Sequence, residues 1–393
     1  MDSPLAWKAG FTERLGGFVR APGALPRIIG VTNVVVITVA VVGLSLLPGE
    51  PPPQAGPKGV AKVQGSTAQP GSPGPSGAPE PSTSPVGQPP GVVATPDFAR
   101  QVRANEAGLV PVLMYHRILA ERHASLDRTP DQLRKELEKL AERGYVPITA
   151  REFAAGDIRV PAGKYPVVLT FDDGHPSHFG LDANGAPLPG TAVAVIQEVA
   201  SRHPGFRPTA TFWINREPFG LRDRAAQEAA VRWLVDHGYE VANHTWGHPN
   251  LRMLKRKKVS EQIVRIERLL KKLGAPPSQT MALPYGSMPR NKGAARSGSW
   301  DGTRYDFAGV FLAGAEPSLS PYAKKFDRGA IQRIQSNGKK GECRKWCSEY
   351  WLGWLDKHPG ERYVSDGDPE RISLPERLRG NIVAKRGLEV IAY

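Results

Sequence analysis

Apolar positions follow two regimes along this chain. Through residues 109–312, short unbroken apolar runs alternate with stretches whose apolar residues recur every three or four positions. The runs are Val110-Pro-Val-Leu-Met-Tyr115, Pro166–Phe171 (PVVLTF), Thr209–Ile214, Tyr239–Ala242, Met281-Ala-Leu283 and Phe307–Leu312. Their length and two-faced apolarity predict buried parallel strands. Between them, Thr129-Pro130 opens a helix as N-cap and first-turn proline, Leu133, Leu137 and Leu140 mark its buried face, and Gly144 ends it. Thr149-Ala-Arg-Glu152 is a capping box for a second, short helix. A further helix ends near His237-Gly238, and Val259, Ile263, Ile266, Leu270 and Leu273 mark another. Strands alternating with helices predict an α/β fold with a parallel sheet, and the number of repeats favours a closed or nearly closed barrel.

The other regime is N-terminal. Ile28–Leu47 (IIGVTNVVVITVAVVGLSLL) carries no charge, and only Thr32, Asn33, Thr38 and Ser45 interrupt its apolarity. At about 1.5 Å per residue such a helix spans roughly 30 Å, the hydrocarbon thickness of a bilayer. The long lead-in 1–27 and the lack of an A-x-A site favour an uncleaved transmembrane helix over a signal peptide. Lys8, Arg14, Arg20 and Arg27 outnumber Asp2 and Glu13, which predicts that 1–27 stays cytoplasmic and the remainder is exported. Residues 48–97 are dominated by Pro, Gly and Ser and contain no aromatic ring. Such a segment has too little apolar surface to offset its ordering entropy and predicts a disordered tether.

Composition adds the charge. The 393 residues include 52 Lys+Arg against 38 Asp+Glu, a net +14. Residues 101–393 hold 45 basic against 33 acidic side chains, a net +12. Nine basic residues lie between Arg252 and Lys272, which the helical spacing assigns to a solvated face with an attraction for anionic polymers or lipids. No nucleic-acid-binding module is recognisable. Two cysteines cannot form a disulfide framework, and the pair Cys343/Cys347 in an exported region predicts a local disulfide. Nearby Trp346, Tyr350, Trp351 and Trp354 sit at helical spacing, as for a helix packed on the barrel, with a sugar-stacking platform as the alternative.

The candidate chemistry stands where predicted strands end, the position at which barrels of alternating strands and helices place it. Asp172-Asp173-Gly174 follows Phe171, Asn243-His244-Thr-Trp-Gly-His248 follows Ala242, Pro284-Tyr285-Gly286 follows Leu283, and His116 follows Tyr115. A carboxylate with two imidazoles suits Zn²⁺ or a similar divalent ion, and three protein ligands leave positions open for water and substrate. His175 and His178 read as solvated loop residues.

TFDDG at 170–174, HTWGH at 244–248 and LPYG at 283–286, in that order, resemble the polysaccharide deacetylases with a NodB homology domain, carbohydrate esterase family 4. PVLMYHRI at 111–118 resembles the opening strand of the poly-N-acetylglucosamine deacetylase branch. The resemblance implies a distorted (β/α) barrel over residues 109–335, with 336–393 an extension of unassigned role. It also implies one divalent metal, Zn²⁺ or else Co²⁺ or a similar ion, held by Asp173, His244 and His248. Asp172 would be the general base, the backbone N–H of Tyr285 the oxyanion donor, and His116 the acid for the amine leaving group. The implied partner is a bacterial cell-wall or extracellular polysaccharide with N-acetylglucosamine-type sugars, and the implied reaction is removal of its N-acetyl groups.

Two departures from the family pattern stand out. The late Leu-x-His motif that supplies the acid in much of the family is absent. The position at which many relatives carry an arginine that braces the base is Ala282, for which Arg290 or Lys292 is the expected substitute. These departures keep two alternatives open: an acetyl ester or cyclic amide hydrolase on the same scaffold, or a wall-binding module with a degenerate site.

Overall fold

The computed structural model describes residues 92–383 and 387–393. The expected N-terminal segment 1–27, the apolar span 28–47 and the tether up to residue 91 lie outside them. Among the described residues no helix is long and apolar enough to cross a membrane. Thr95 Oγ1 accepts the Phe98 N–H and caps the first helix, α1 (Pro96–Val102), so the last two residues of the expected tether open this helix.

The centre is one sheet built from β1 (Val112–Tyr115), β2 (Tyr145–Ile148), β3 (Tyr165–Phe171), β4 (Thr211–Ile214), β5 (Glu240–Asn243), β6 (Thr280–Ala282), β9 (Gly309–Phe311) and β10 (Ile334–Gln335). Its order is β10-β1-β3-β4-β5-β6-β9, with β2 on the early half of β3, and every pairing is parallel. Phe311 of β9 also bridges Ile331, while Ile334 pairs with Leu113 of β1, so residues 331–335 join the two margins of the sheet. This parallel, half-barrel sheet, its margins drawn together by one short segment, is consistent with the expected distorted barrel.

The pleat divides the apolar runs between two cores. Val112, Val168, Trp213, Ala282, Phe311 and Ile331 pack together within the barrel. Their neighbours Leu113, Leu169, Phe171, Phe212 and Ile214 pack outward, onto the buried faces of α2 (Pro130–Glu142), α4 (Ala192–Arg202) and α5 (Arg224–Asp236). Successive strand residues point to opposite faces, and with helices outside and side chains inside both faces must be apolar. The expected capping box of Thr149 with Glu152 forms at α3 (Ala150–Ala155), and the expected N-cap Thr129 of α2 forms one as well, with Gln132. The basic helix α6 (Arg256–Lys272) buries Val259, Ile263, Ile266 and Leu270 as its spacing predicts. A small α7 (Gly293–Arg296) and the antiparallel hairpin β7 (Ser297–Trp300)/β8 (Thr303–Asp306) follow β6.

The C-terminal residues belong to the same unit. Tyr363 N–H donates to Leu109 O, and Tyr363, Ile372, Leu374 and Ile382 join the inner core at the end where the strands begin. There β11 (Arg371–Leu374) and β12 (Glu389–Ala392) pair in parallel. Helix α8 (Ser348–Lys357) lays Trp351 and Leu352 against the outer core, and Cys343 and Cys347 form the expected disulfide.

Candidate active site and metal centre

Because all strands of the sheet run the same way, the residues after β1, β3, β5 and β6 emerge at one end. Asp173 Oδ1 lies 3.4 Å from His244 Nε2 and 3.3 Å from His248 Nε2. Two ligands on a tetrahedral ion with bonds of about 2.1 Å stand about 3.4 Å apart, so these residues fit a Zn²⁺-sized ion. The three ligand atoms lie within 4.8 Å of one another. His244 is fully buried, and its Nδ1–H donates to Ala282 O at 2.9 Å. That bond fixes the tautomer and leaves the Nε2 lone pair facing Asp173.

Burial alone would push the Asp173 carboxyl up, but the hydrogen bond and charge of His244, with His116 and His248, hold it well below the ordinary carboxylate range. His248 is held down to about 4 by burial and by the charge of His244. These two shifts favour an ionised carboxylate and a neutral His248, whereas at His244 burial pulls down and the hydrogen bond to Asp173 with the two aspartate charges raises the imidazole overall.

Backbone geometry here is unusual. Asp173 (φ 77°), Thr245 (φ 66°), His248 (φ 51°) and Tyr285 (φ 57°) all sit in the left-handed region, which costs a non-glycine residue about 1–2 kcal/mol. Hydrogen bonds hold the corner: Asn215 Nδ2 donates to His244 O and Thr245 O, and Asn243 Oδ1 accepts the Thr245 N–H. The strain is thus concentrated on the side chains that converge.

Asp172 is braced from a direction the sequence did not indicate. Arg333 Nη1 and Nη2 each lie 2.7 Å from one oxygen of Asp172, and both side chains are buried. Arg333 also donates through Nε to Leu312 O and through Nη1 to Thr170 Oγ1, and its guanidinium lies over the Trp213 ring. Burial raises the Asp172 carboxyl, and the Arg333 cation outweighs it, bringing it down to about 2. The expected substitutes, Arg290 and Lys292, are both exposed on the loop beyond Tyr285, while Asp172 is 3% exposed. Arg333 succeeds because its segment closes the barrel beside β1 and points the side chain inward. A lone arginine between Ile331 and Ile334 was the available signal.

His116 Nε2 lies 3.9 Å from Asp172 Oδ2 at the end of β1. Burial lowers the imidazole's pKa against the opposing pull of Asp172 and Asp173. His178 is not a solvated loop residue: it is fully buried against Phe171 and Phe212, with Nε2 on the carbonyl of His116. It therefore fixes the backbone that carries His116. His175 remains half-buried, bonded to Ser177. Tyr285 is 56% exposed, with its ring edge-on to His248 at 4.6 Å. The structure thus gathers Asp172, Asp173, His116, His244, His248 and Tyr285 at one end, and adds Arg333 and His178.

Comparison with known proteins points the same way. Residues 159–298 match the family model for polysaccharide deacetylase, a span that contains the two aspartates, both ligand histidines and Tyr285. His116 and Arg333 lie outside it. That family comprises carbohydrate esterases acting on N-acetyl amides. The chain is 27% identical over 158 residues to the peptidoglycan-N-acetylglucosamine deacetylase of Bacillus cereus, a match covering 39% of this chain and 49% of that protein. It thus spans about half the length of that curated relative. Among solved structures, a polysaccharide deacetylase from Bacillus cereus is similar at a TM-score of 0.44 with 19% identity, over 57% of this chain and 64% of that one. The deacetylase PplD of Streptococcus pyogenes is similar at 0.44 and 19%, over 57% and 91%.

Proposed function

We propose that this protein hydrolyses the N-acetyl groups of amino sugars in a cell-wall or extracellular polysaccharide, with a divalent ion, Zn²⁺ by its ligand set, held by Asp173, His244 and His248. The observation that carries this is the spacing of Asp173 from the two imidazoles, 3.4 and 3.3 Å, beside a second carboxylate that Arg333 holds. A divalent ion bound there supplies Lewis acidity, polarising an acyl oxygen and lowering the pKa of water.

The chain's own groups account for the proton. Asp172, kept ionised by Arg333, accepts a proton from the attacking water. Arg333 makes it a weak base but fixes its direction, and general acid–base steps need geometry before matched pKa. His116, 3.9 Å from Asp172 Oδ2, is the next station and delivers a proton to the amine nitrogen as the C–N bond breaks. Acetate and the free amino sugar leave. The Tyr285 N–H, at a left-handed corner, is assigned to the developing oxyanion, and loss of such a donor costs about 10²–10³ in rate.

We further infer that Ile28–Leu47 anchors the chain and that the barrel works outside the membrane, on the charge bias and the Pro/Gly/Ser composition that follows. The experiment is acetate release from an N-acetylglucosamine polymer by the full chain. Activity should vanish with chelator and return with Zn²⁺ or Co²⁺. Polymer binding without acetate at saturating metal would mean a binding module, and faster release from acetyl esters would mean an esterase. Recovery of residues 1–27 in the membrane fraction tests the anchor.

A further inference from the structure

Past β10 the chain enters the disulfide between Cys343 and Cys347. The two cysteines are 2% and 4% exposed, whereas the residues between them, Arg344, Lys345 and Trp346, are exposed. A short covalent ring thus holds two cations and an indole out to solvent, with less freedom to lose on binding than an open loop. Lys339 and Lys340 precede it, also exposed, and none of these four basic side chains has an ion-pair partner among the described residues.

The ring stands at the working end of the barrel. Gln335 Nε2 and Asn337 Nδ2 both donate to Ser125 O, in the loop that begins at His116. Two other loops at this end have the same sign: residues 244–258 and 283–296 contain no Asp or Glu, and Arg290 and Lys292 are exposed on the second. Arginines are paired at both ends, Arg159–Asp157 at 2.8 Å and Arg207–Glu152 at 3.0 Å at the opposite one, Arg117–Asp127 at 2.8 Å and Arg216–Glu217 at 3.3 Å at this one. Lys258 pairs with Glu261 and Arg296 with Asp306, which leaves Arg290, Lys292 and the cations of the ring among the exposed charges at this mouth, and like charges so placed raise the local concentration of a polyanion.

We propose that the Cys343–Cys347 ring is a binding subsite that selects an anionic N-acetylated glycan. Arg344 and Lys345 pair with phosphate or carboxylate groups along the chain, and Trp346 stacks on a sugar ring. Guanidinium suits either oxyanion through paired N–H donors. This rests on the deacetylase reading and narrows its substrate class.

The test uses the full chain and three N-acetylglucosamine oligomer probes: unmodified, 6-phosphorylated, and oxidised to the 6-carboxylate. At low salt the charged probes should show a KM roughly tenfold below the neutral one, a gap that closes by about 0.5 M salt. R344Q/K345Q should raise KM for the charged probes to the neutral level and leave kcat on the neutral oligomer unchanged. W346A should raise KM for all three. Whichever charged probe gains more identifies the anion. Equal KM values in the wild type, or a gap that survives R344Q/K345Q, overturns the proposal. Equilibrium dialysis of the phosphorylated oligomer reads the subsite without turnover. Absence of acetate from every probe would therefore strike the deacetylase reading, and dialysis would still decide this one. Loss of binding to phosphatidylglycerol vesicles in R344Q/K345Q, with dialysis unchanged, would assign the ring to a lipid surface and overturn it as well.

Discussion

Arg333 grips Asp172 with two parallel N–H donors, each 2.7 Å from its own carboxylate oxygen, and both side chains are buried. The two residues are far apart in sequence and meet because residues 331–335 join the sheet margins beside β1. Removing the cation strands a buried carboxylate, which costs about 3–5 kcal/mol. R333M should lower Tm sharply, and R333M/D172N should recover much of that loss without recovering activity. R333K keeps the charge and loses the paired geometry. Its kcat should fall about 10–100-fold, the usual cost of losing a partner that orients a site group, with metal content unchanged. Calorimetry, kcat and metal analysis on the three variants check this, and an R333K enzyme at wild-type rate would remove the brace from the mechanism.

His116 is not among the three side chains proposed to hold the metal, so its loss should separate chemistry from metal binding. H116A is expected to lower kcat by about 10²–10⁴-fold, the range for a lost general acid, with the bound metal retained. The His178 ring bonds the His116 carbonyl and packs against Phe171 and Phe212. H178F keeps the packing and loses that bond, so a smaller fall in kcat with unchanged KM is expected. Unaltered turnover in H116A would send the proton elsewhere.

How much of this was legible depended on how local the signal was. The buried strands could be read because a strand covered on both faces is apolar at every position, and the helices because caps such as Thr129 and Thr149 are written within a few residues. The ligand set could be read because parallel strands bring the residues after them to one end. β2 was missed because Pro147 sits in its middle, and proline argues against a strand bonded on both sides; β2 pairs only with β3. β10 has two residues, too few to leave a pattern. Arg333 and His178 were missed for a different reason: their roles come from contacts with Asp172 and His116 across the fold, which no spacing encodes.

The corner that carries Tyr285 should be sensitive to a single methyl group. Gly286 has φ +61°, and a Cβ there would stand 2.8 Å from Ala313 N and 2.9 Å from Ala313 Cβ. G286A must move the backbone next to the Tyr285 N–H, while His244 and His248 sit on a different loop. The expected result is a fall in kcat with metal binding unchanged. Gly163 (φ +73°) has nothing within 4 Å of the corresponding position. G163A should therefore cost only about 1 kcal/mol of backbone strain and leave kcat intact. Equal kcat losses in both variants would show that general destabilisation, not the corner, is responsible.

Asp366 supplies a pH dependence remote from the proposed metal ligands. Burial raises its carboxyl to about 6; the nearby Ser373 hydroxyl and the hydrogen bond from the Asp368 N–H pull down, Asp368's charge pushes up, and Arg371 pulls down. Glu106, also buried and raised well above the ordinary range, faces it across the base of the barrel. An unfolded aspartate titrates near ~3.9. Between about 4 and 6 the folded chain therefore binds more protons than the unfolded chain, and the Asp366 contribution to stability falls as pH rises through that window. Asn at this position keeps an acceptor for the Asp368 N–H, a bond of 2.7 Å to Oδ1, and never ionises. D366N should match the wild type near pH 4 and exceed it by about 3 kcal/mol above pH 6, the value of a shift of roughly two units. Denaturant melts of both proteins from pH 4 to pH 7 give the difference curve. A flat difference, or one that shrinks as pH rises, would show that Asp366 is not held protonated by the fold.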